Sequence, residues 1–401
     1  MPPSNANDSG NMKESKLPRR DWILLPLLSL LTICLIAGST ELIARKVLKT
    51  SNTLGEDCMF NDPAIGPRGI PNCKCWEKIP EGELTEYSFN SSGFRNDFDF
   101  QPKSPGILRI VMMGTSAAAG FRVPEEKTFA RLLPAELSQR TGRKIELYNE
   151  GMPFRSPHVI SLEFKDVLAV NPDIILWILT PTDIEGTGWP KSAPDETKSL
   201  GLFDKTWYHV RESLATKSLG PYIAKVFNRG RTGVLLSDML YESPSQYVKS
   251  SLTKADSEAG FLKIEQSPEW QKRLEDFAIN AANIEKQAQD AGIPIVVAFV
   301  PDRTQVAMIT ITGYWPKGYD PYKLDNELAA IIRSHGGIYI DILSDFRTIP
   351  NPHLGYFGVD VHPNAYGHAM ISKFLTRRLT DGAIPALQAT VQLDAGLEPN
   401  K

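Results

Sequence analysis

The sequence predicts a three-layer α/β domain built on a parallel sheet of about five strands, with one transmembrane helix in front of it. Three observations carry this. Short, nearly unbroken apolar runs at 108–113, 173–179 and 295–300 have the composition of strands buried on both faces. Stretches with helical spacing alternate with them, at 157–170, 268–291, 322–335 and 364–379. Near the start, residues 22–44 form an apolar segment broken only by Ser, Thr and Glu41, and a bilayer core asks for roughly 20 such residues.

The elements follow in chain order. Residues 1–21 are a polar tail, rich in Asn and Ser, that carries Lys13, Lys16, Arg19 and Arg20 and has too little apolar surface to fold. The anchor 22–44 holds Pro26 in its first turns, where a helix tolerates it. The competing reading is a cleavable leader cut at Ala37-Gly38-Ser39. Basic residues flank both ends, with Arg45, Lys46 and Lys49 on the far side, so charge hardly orients the helix. A single N-terminal anchor ahead of a large domain is an export arrangement. It puts the domain on the periplasmic or extracellular side of the cytoplasmic membrane.

Residues 45–104 read as a Cys-containing linker and N-terminal extension, irregular over 50–79 because Pro, Gly and Asn dominate there. Cys58, Cys73 and Cys75 are too few and too tightly spaced for a four-ligand zinc site. A disulfide from Cys58 to Cys73 or to Cys75 suits an exported domain and leaves one thiol over. Residues 87–95 look like a short strand running into a turn at 90–93.

The α/β domain spans 105–382. Its first strand, 108–113, leads to a candidate helix at 128–140 that Pro134 is expected to shorten or kink. Strand 144–148, helix 157–170 and strand 173–179 follow, the last ending in a polar turn at 180–183. Residues 186–267 break the rhythm with Gly, Pro, Ser and scattered aromatics, show helical spells near 207–214 and 222–226, and read as an inserted lid. Helix 268–291, stopped by Gly292 and Pro294, restores the pattern. Strand 295–300, helix 322–335, strand 338–342 and helix 364–379 complete it, and 383–401 is a tail.

Composition excludes some functions. A net charge of −3 over 401 residues, with no long run of one sign, offers no basic surface for nucleic acid. There is no phosphate loop with its Lys, and 114–120 lacks the dinucleotide spacing. No cluster of metal-ligating residues is present in the sequence, so neither metal nor cofactor is expected.

The chemistry is expected at the carboxyl ends of the strands, where parallel sheets gather their ligands. Ser116 follows the first strand, Asn149 and Gly151 the second, and Thr182 and Asp183 the third. Asp360-Val361-His362-Pro363-Asn364 then precedes the last helix. An Asp two residues before a His can orient the imidazole while the ring takes a proton from a serine. Arg155 is a candidate for a substrate oxygen or carboxylate, or for a surface salt bridge, and Asp183 is a second candidate substrate contact. His368 reads as a cap or packing residue, and Asp302-Arg303 as a turn ion pair. His158 has no partner that the sequence names.

These blocks together (Gly114-Thr115-Ser116 with Gly120, Asn149-Glu150-Gly151, Thr182-Asp183, and the Asp360 to Asn364 block) resemble the SGNH hydrolases, also called the GDSL family, over 107–379. The resemblance implies a flavodoxin-like sandwich and a serine esterase or acyltransferase site. It makes Ser116 the nucleophile, His362 the base and Asp360 its orienting partner. Its oxyanion hole comprises the Ser116 N–H, Gly151 and an Asn side chain for which Thr182 stands here. Two departures are plain: Thr115 replaces the usual Asp, and Thr180 and Thr182 replace the usual Gly and Asn of the third block. The other serine-hydrolase elbow is excluded, because Ala118 occupies its second glycine.

The expected function is thus a membrane-anchored, outward-facing serine esterase or O-acyltransferase acting on an O-acylated carbohydrate. Its expected partners are the membrane, through 22–44, and, in a variant of the alginate-acetylation type, an acyl-donor protein in the membrane. A non-catalytic carbohydrate-binding module and a lipase-like esterase are the alternatives.

Overall fold

The computed structural model describes residues 20–48, 50–52, 57–62, 65–185, 230–253, 260–311 and 315–389. The helical spells expected near 207–214 and 222–226 and both terminal tails lie outside the described residues.

Helix α1, Asp21–Val47, has 27 residues, long and apolar enough to cross a membrane. Its large apolar side chains are exposed all round and Ala44 is its buried residue, a surface suited to lipid. At its far end the Glu41 carboxylate accepts the N–H groups of Arg231 and Thr232 at 3.1 and 3.0 Å, so α1 caps a helix of the domain.

The stretch expected to be irregular is a small β layer. Strands β1 (Ser51–Asn52), β2 (Met59–Asp62), β3 (Gly66–Gly69), β4 (Lys74–Lys78) and β5 (Thr85–Ser88) form two antiparallel sheets, β1-β4-β5 and β2-β3. Cys58 and Cys73 form a disulfide across this layer, and Cys75 stays free and buried, its thiol pushed up to about 11 by burial. Cys58, Cys75, Tyr87 and Phe89 share one small core. A disulfide and a few aromatics supply the burial that such a short stretch lacks, and composition alone does not show it.

The main sheet then begins. In chain order it holds β6 (Ile107–Gly114), α2 (Phe129–Thr141), β7 (Lys144–Asn149), α3 (Pro157–Ala169), β8 (Ile174–Leu179) and α4 (Pro181–Glu185). From the inserted segment come α5 (Arg231–Leu240) and α6 (Pro244–Thr253). The domain closes with α7 (Pro268–Asp290), β9 (Ile295–Phe299), α8 (Arg303–Thr310), α9 (Lys323–Ser334), β10 (Ile338–Ile340) and α10 (Ala365–Leu379). The polar turn expected at 180–183 is the first part of α4, and α8, not foreseen, starts at Asp302 through a capping box with Gln305. Helix α2 runs its full length through Pro134, the sixth of its 13 residues, on a half-buried face, at the loss of one intrahelical hydrogen bond.

The five strands pair in parallel in the order β10-β9-β8-β6-β7. Counted along the chain this is 2-1-3-4-5, the flavodoxin-like order, whose direction of winding reverses between β6 and β8. The two faces follow from strand alternation. Val111, Met113, Ile175, Trp177, Val297 and Phe299 pack under α3, α7 and α9, while Ile110, Met112, Leu176, Ile178, Val296 and Ala298 face α2 and α10. Burying both faces explains why these strands are continuous apolar runs.

The disulfide closes a loop with a separation of 15 residues. A Cys58→Ser/Cys73→Ser variant is expected to lose about 3 kcal/mol from the denatured-chain entropy of that loop. The check is a fall in unfolding temperature without reductant, and an unchanged melting curve would contradict it.

Candidate active site

Parallel strands put their carboxyl ends at one rim, and the reversal between β6 and β8 opens a crevice there. Gly114 ends β6 at φ +150°, where a Cβ would meet the Ile178 carbonyl at 2.5 Å, so the chain turns out of the sheet at a residue with no side chain. Ser116 follows on the rim, half-buried.

The loop before α10 reaches the same place. Phe357 donates its N–H to the His362 carbonyl at 3.0 Å, and Asn364 caps α10 through the Gly367 N–H, also at 3.0 Å. Between them Val361 has φ +64°, costly for a β-branched residue and diagnostic of a constrained loop. That turn brings Asp360 Oδ1 to 2.6 Å from His362 Nδ1, and His362 Nε2 lies 2.8 Å from Ser116 Oγ across 246 residues of sequence. A hydroxyl, an imidazole and a carboxylate in this line can move a proton off the hydroxyl and hold the charged ring. Burial alone would raise the Asp360 carboxyl. The His362 hydrogen bond and charge, and then Arg122, more than offset it and hold the group below its ordinary value.

The other expected oxyanion contacts are differently disposed. Gly151 is buried against the serine loop, where a Cβ would meet the Ala119 nitrogen at 2.6 Å, and its N–H donates to Asn149 Oδ1 at 2.9 Å. Asn149 in turn donates to the Ala118 carbonyl at 3.0 Å, so this pair braces the loop that carries Ser116. Thr182 lines the cavity, its hydroxyl 2.8 Å from that of Thr180. The Ser116 N–H has no hydrogen-bond partner among the described residues.

Neither expected substrate contact lies among the residues that line the cavity. Arg155 is buried and committed to the Glu150 carbonyl at 3.0 Å and to Glu163 at 3.3 Å, because Glu150 sits beneath the rim without another strong cation. Asp183 is buried and gathers on one oxygen the Thr180 N–H (2.8 Å), the Thr180 hydroxyl (2.7 Å) and the Thr115 hydroxyl (3.2 Å). It therefore ties the first block to the third. Burial, partly offset by these donors, pushes its carboxyl up to about 7. The Thr115 that replaces an Asp has a role here as a donor to Asp183.

His368 accepts the Phe129 N–H on Nδ1 at 3.2 Å and packs on the Phe129 ring, and burial lowers it to about 3, so it is a neutral packing residue. His158 Nδ1 lies 3.3 Å from Asn280 Oδ1, and His158 is not among the residues that line the cavity. Asp302 and Arg303 are not an ion pair: Asp302 caps α8, and Arg303 donates to the carbonyls of Gly358 and Tyr241, each at 2.8 Å.

Beside Ser116 and His362 lies a cavity of about 240 Å³, walled by Pro181, Val300, Pro301 and Tyr356 and closed on one side by Tyr247, Ser251 and Phe261. The last three belong to the described part of the inserted segment. Charged residues outside the expected blocks support the rim. Arg95 is buried over the Tyr87 ring and donates to the carbonyls of Ala119 (3.1 Å), Val123 (2.8 Å) and Gly120, holding the serine loop from below. Glu81 accepts the N–H groups of Val359 and Asp360 at 2.8 and 3.1 Å. Burial, with the neighbouring Asp238 carboxyl, pushes Glu81 up to about 7. In sequence these residues are scattered charges, and no local spacing separates a buried arginine from a solvated one.

No protein-family model matches the chain, and no curated protein matches it. Solved structures that are similar include LAE5, an alpha/beta hydrolase enzyme from the metagenome of Lake Arreo, Spain, at 14% identity and a TM-score of 0.34, covering 70% of this chain and 97% of that one. The acetyl xylan esterase AlAXEase is similar at 12% identity and a TM-score of 0.35, covering 67% and 98%. AlinE4, an SGNH-hydrolase family esterase, is similar at 11% identity and a TM-score of 0.31, covering 62% and 84%. Likenesses this distant leave the site to be read from its own atoms.

Asp183 gives a pH test. Its folded carboxyl titrates near 7 and an unfolded one near about 4. Below the lower value it contributes no pH dependence; as pH rises through that window the unfolded chain loses its proton first and the folded state is penalised. Asp183→Asn keeps the oxygen that accepts from Thr180 and Thr115 and removes the penalty. Its stability relative to wild type is expected to rise between pH 4 and pH 8 by on the order of 1–3 kcal/mol. Thermal melts across that range check it, and a difference that stays constant with pH rejects it.

Proposed function

We propose that the chain is a membrane-anchored serine esterase or O-acyltransferase that works through an acyl-enzyme on an O-acylated, most simply O-acetylated, carbohydrate. The observation that carries this reading is the line from Ser116 Oγ to His362 Nε2 at 2.8 Å and from His362 Nδ1 to Asp360 at 2.6 Å, on the rim of the crevice. In the proposed cycle Ser116 attacks the acyl carbonyl as His362 takes its proton. His362 then returns the proton to the leaving sugar oxygen. Water, or a second sugar hydroxyl, repeats the steps in reverse and frees the enzyme. The acceptor decides between hydrolysis and transfer, and the transferase version takes its acyl group from a donor protein in the membrane.

The cavity supports a short acyl group. At about 240 Å³ and closed by Tyr247 and Phe261, it is below the usual size of a small-molecule site, which disfavours the lipase-like alternative. Helix α1 supports anchoring, and the export reading of the cysteines agrees with the Cys58–Cys73 bond. One observation favours a non-catalytic carbohydrate-binding module: the Gly151 N–H and the Thr182 hydroxyl already have partners. A missing oxyanion donor costs on the order of a hundredfold or more in rate.

A fluorophosphonate probe separates the two. Wild type is expected to label and Ser116→Ala not to, with turnover of p-nitrophenyl esters falling roughly a thousandfold or more in the variant and peaking at acetate in wild type. Labelling that ignores Ser116 removes the enzyme reading, and turnover peaking at long chains restores the lipase. Adding an acceptor glycan distinguishes transfer from hydrolysis by the appearance of acylated glycan.

A further inference from the structure

The Asp360 carboxylate has two oxygens, and the imidazole uses one. The other, Oδ2, accepts from Arg122 Nε at 3.1 Å, a residue 238 positions earlier in the turn that leaves the serine loop. Arg122 is itself held at several points. Its second guanidinium nitrogen pairs with the Glu77 carboxylate, and its backbone, at φ +70°, donates its N–H to the Tyr87 hydroxyl at 2.9 Å. Tyr87 closes the circuit by donating to Glu77 Oε2 at 3.0 Å, and Glu77 is almost fully buried. Glu77 and Tyr87 lie on β4 and β5, in the small layer between the anchor and the α/β domain.

We propose that Arg122 is a positioning residue for the Asp360–His362 pair, with Glu77 fixing Arg122, so that the β layer is a working part of the catalytic unit. This rests on the reading of Ser116, His362 and Asp360 given above.

The physical case has two parts. A carboxylate that pivots about its Cβ–Cγ bond offers the ring either oxygen at variable angle; a guanidinium on one oxygen holds the other in line with Nδ1. A cation on the far side also offsets part of the negative charge beside the ring. Arg122 in turn keeps the almost fully buried Glu77 from being an uncompensated charge. The other charged groups that face this cluster are Glu81 and Asp238, on the backbone side of Asp360, and Glu83 at the mouth of the same pocket. Arg95 lies over Tyr87, Arg303 binds the Gly358 carbonyl, and His368 sits near His362 as a neutral ring. Arg122 is the one among them that touches Asp360 through a side-chain cation.

The test uses the full chain in detergent, with Arg122→Gln, Arg122→Lys, Glu77→Gln and Ser116→Ala, read by kcat and KM on p-nitrophenyl acetate against pH, by fluorophosphonate labelling and by thermal unfolding. Arg122→Gln is expected to lose roughly ten- to hundredfold in kcat with KM little changed. The acid limb of its kcat/KM profile is expected to move up by about half a pH unit, because Asp360 is left with an unmoderated charge beside the ring. Arg122→Lys restores part of the rate, and Glu77→Gln slows the enzyme without raising the acid limb. The proposal is overturned if folded Arg122→Gln keeps the wild-type rate and acid limb, or if the rate losses of all variants follow only their loss of folded protein. A separate readout is the Nδ1–H proton resonance of His362, expected in wild type and broadened or shifted in Arg122→Gln. An unchanged resonance overturns the proposal even in a protein with no turnover, whereas wild type that labels no better than Ser116→Ala overturns the functional reading alone.

Discussion

A carboxylate and an imidazole two residues apart do not ordinarily face one another, and the site depends on a loop that makes them do so. In an extended strand Asp360 and His362 would share a side with their Cα atoms about 6–7 Å apart; in a helix they would point apart. With Val361 in left-handed backbone the two side chains converge to 2.6 Å, and the second ring nitrogen is then free to reach Ser116. Strain of this kind persists only where the surroundings over-determine it. The Phe357–His362 bond, the Asn364 cap, Arg303 on Gly358, and Glu81 on the Val359 and Asp360 N–H groups all bear on this one loop.

The serine side of the site is held by similar means. The turn after β6 carries its carbonyls toward the interior, where Arg95 and Asn149 satisfy them, and Asp183 draws Thr115 and Thr180 together. Arg95, Asn149 and Asp183 are buried polar groups, and the hydrogen bonds they make to these loops offset part of the cost of that burial. The small β layer belongs to this account. It contributes Glu77, Glu81, Tyr87 and, just beyond β5, Arg95, and so works as a support beneath the rim while also joining α1 to the domain.

Much of this was legible in the residues. The apolar runs at 108–113, 173–179 and 295–300 had to be buried strands, since no other element hides so many β-branched and large apolar side chains on two faces, and they match β6, β8 and β9 closely. The strand-end blocks were legible because parallel strands share one rim, which is why Ser116 and Thr182 line one cavity. Arg155 and Asp183, the expected substrate contacts, are absent from the cavity lining, and the sequence does not foretell it: a charged residue near a strand end looks the same whether it faces a cavity or answers a buried partner. Glu150 for Arg155, and Thr115 and Thr180 for Asp183, become visible as partners only when the strands lie side by side. The 50–79 stretch reads as irregular because its order comes from a disulfide and from contacts with the domain, neither of which has a periodicity.

By itself, then, the sequence determined the anchor-like helix, the alternation of strands and helices, and the residue types brought to the rim, because each follows from local hydrophobic period and from the common direction of parallel strands. Only the tertiary structure decided the strand order 2-1-3-4-5, the pairing of Cys58 with Cys73 over Cys75, the distances between Ser116, His362 and Asp360, and the presence of Arg122 and Glu77 behind them. Apart from the Asp360–His362 pair, those facts join residues 15 or more positions apart, up to 246, and the energy that selects them, the pairing of buried charges and the fit of one surface on another, acts through space and leaves no mark on neighbouring letters of the chain.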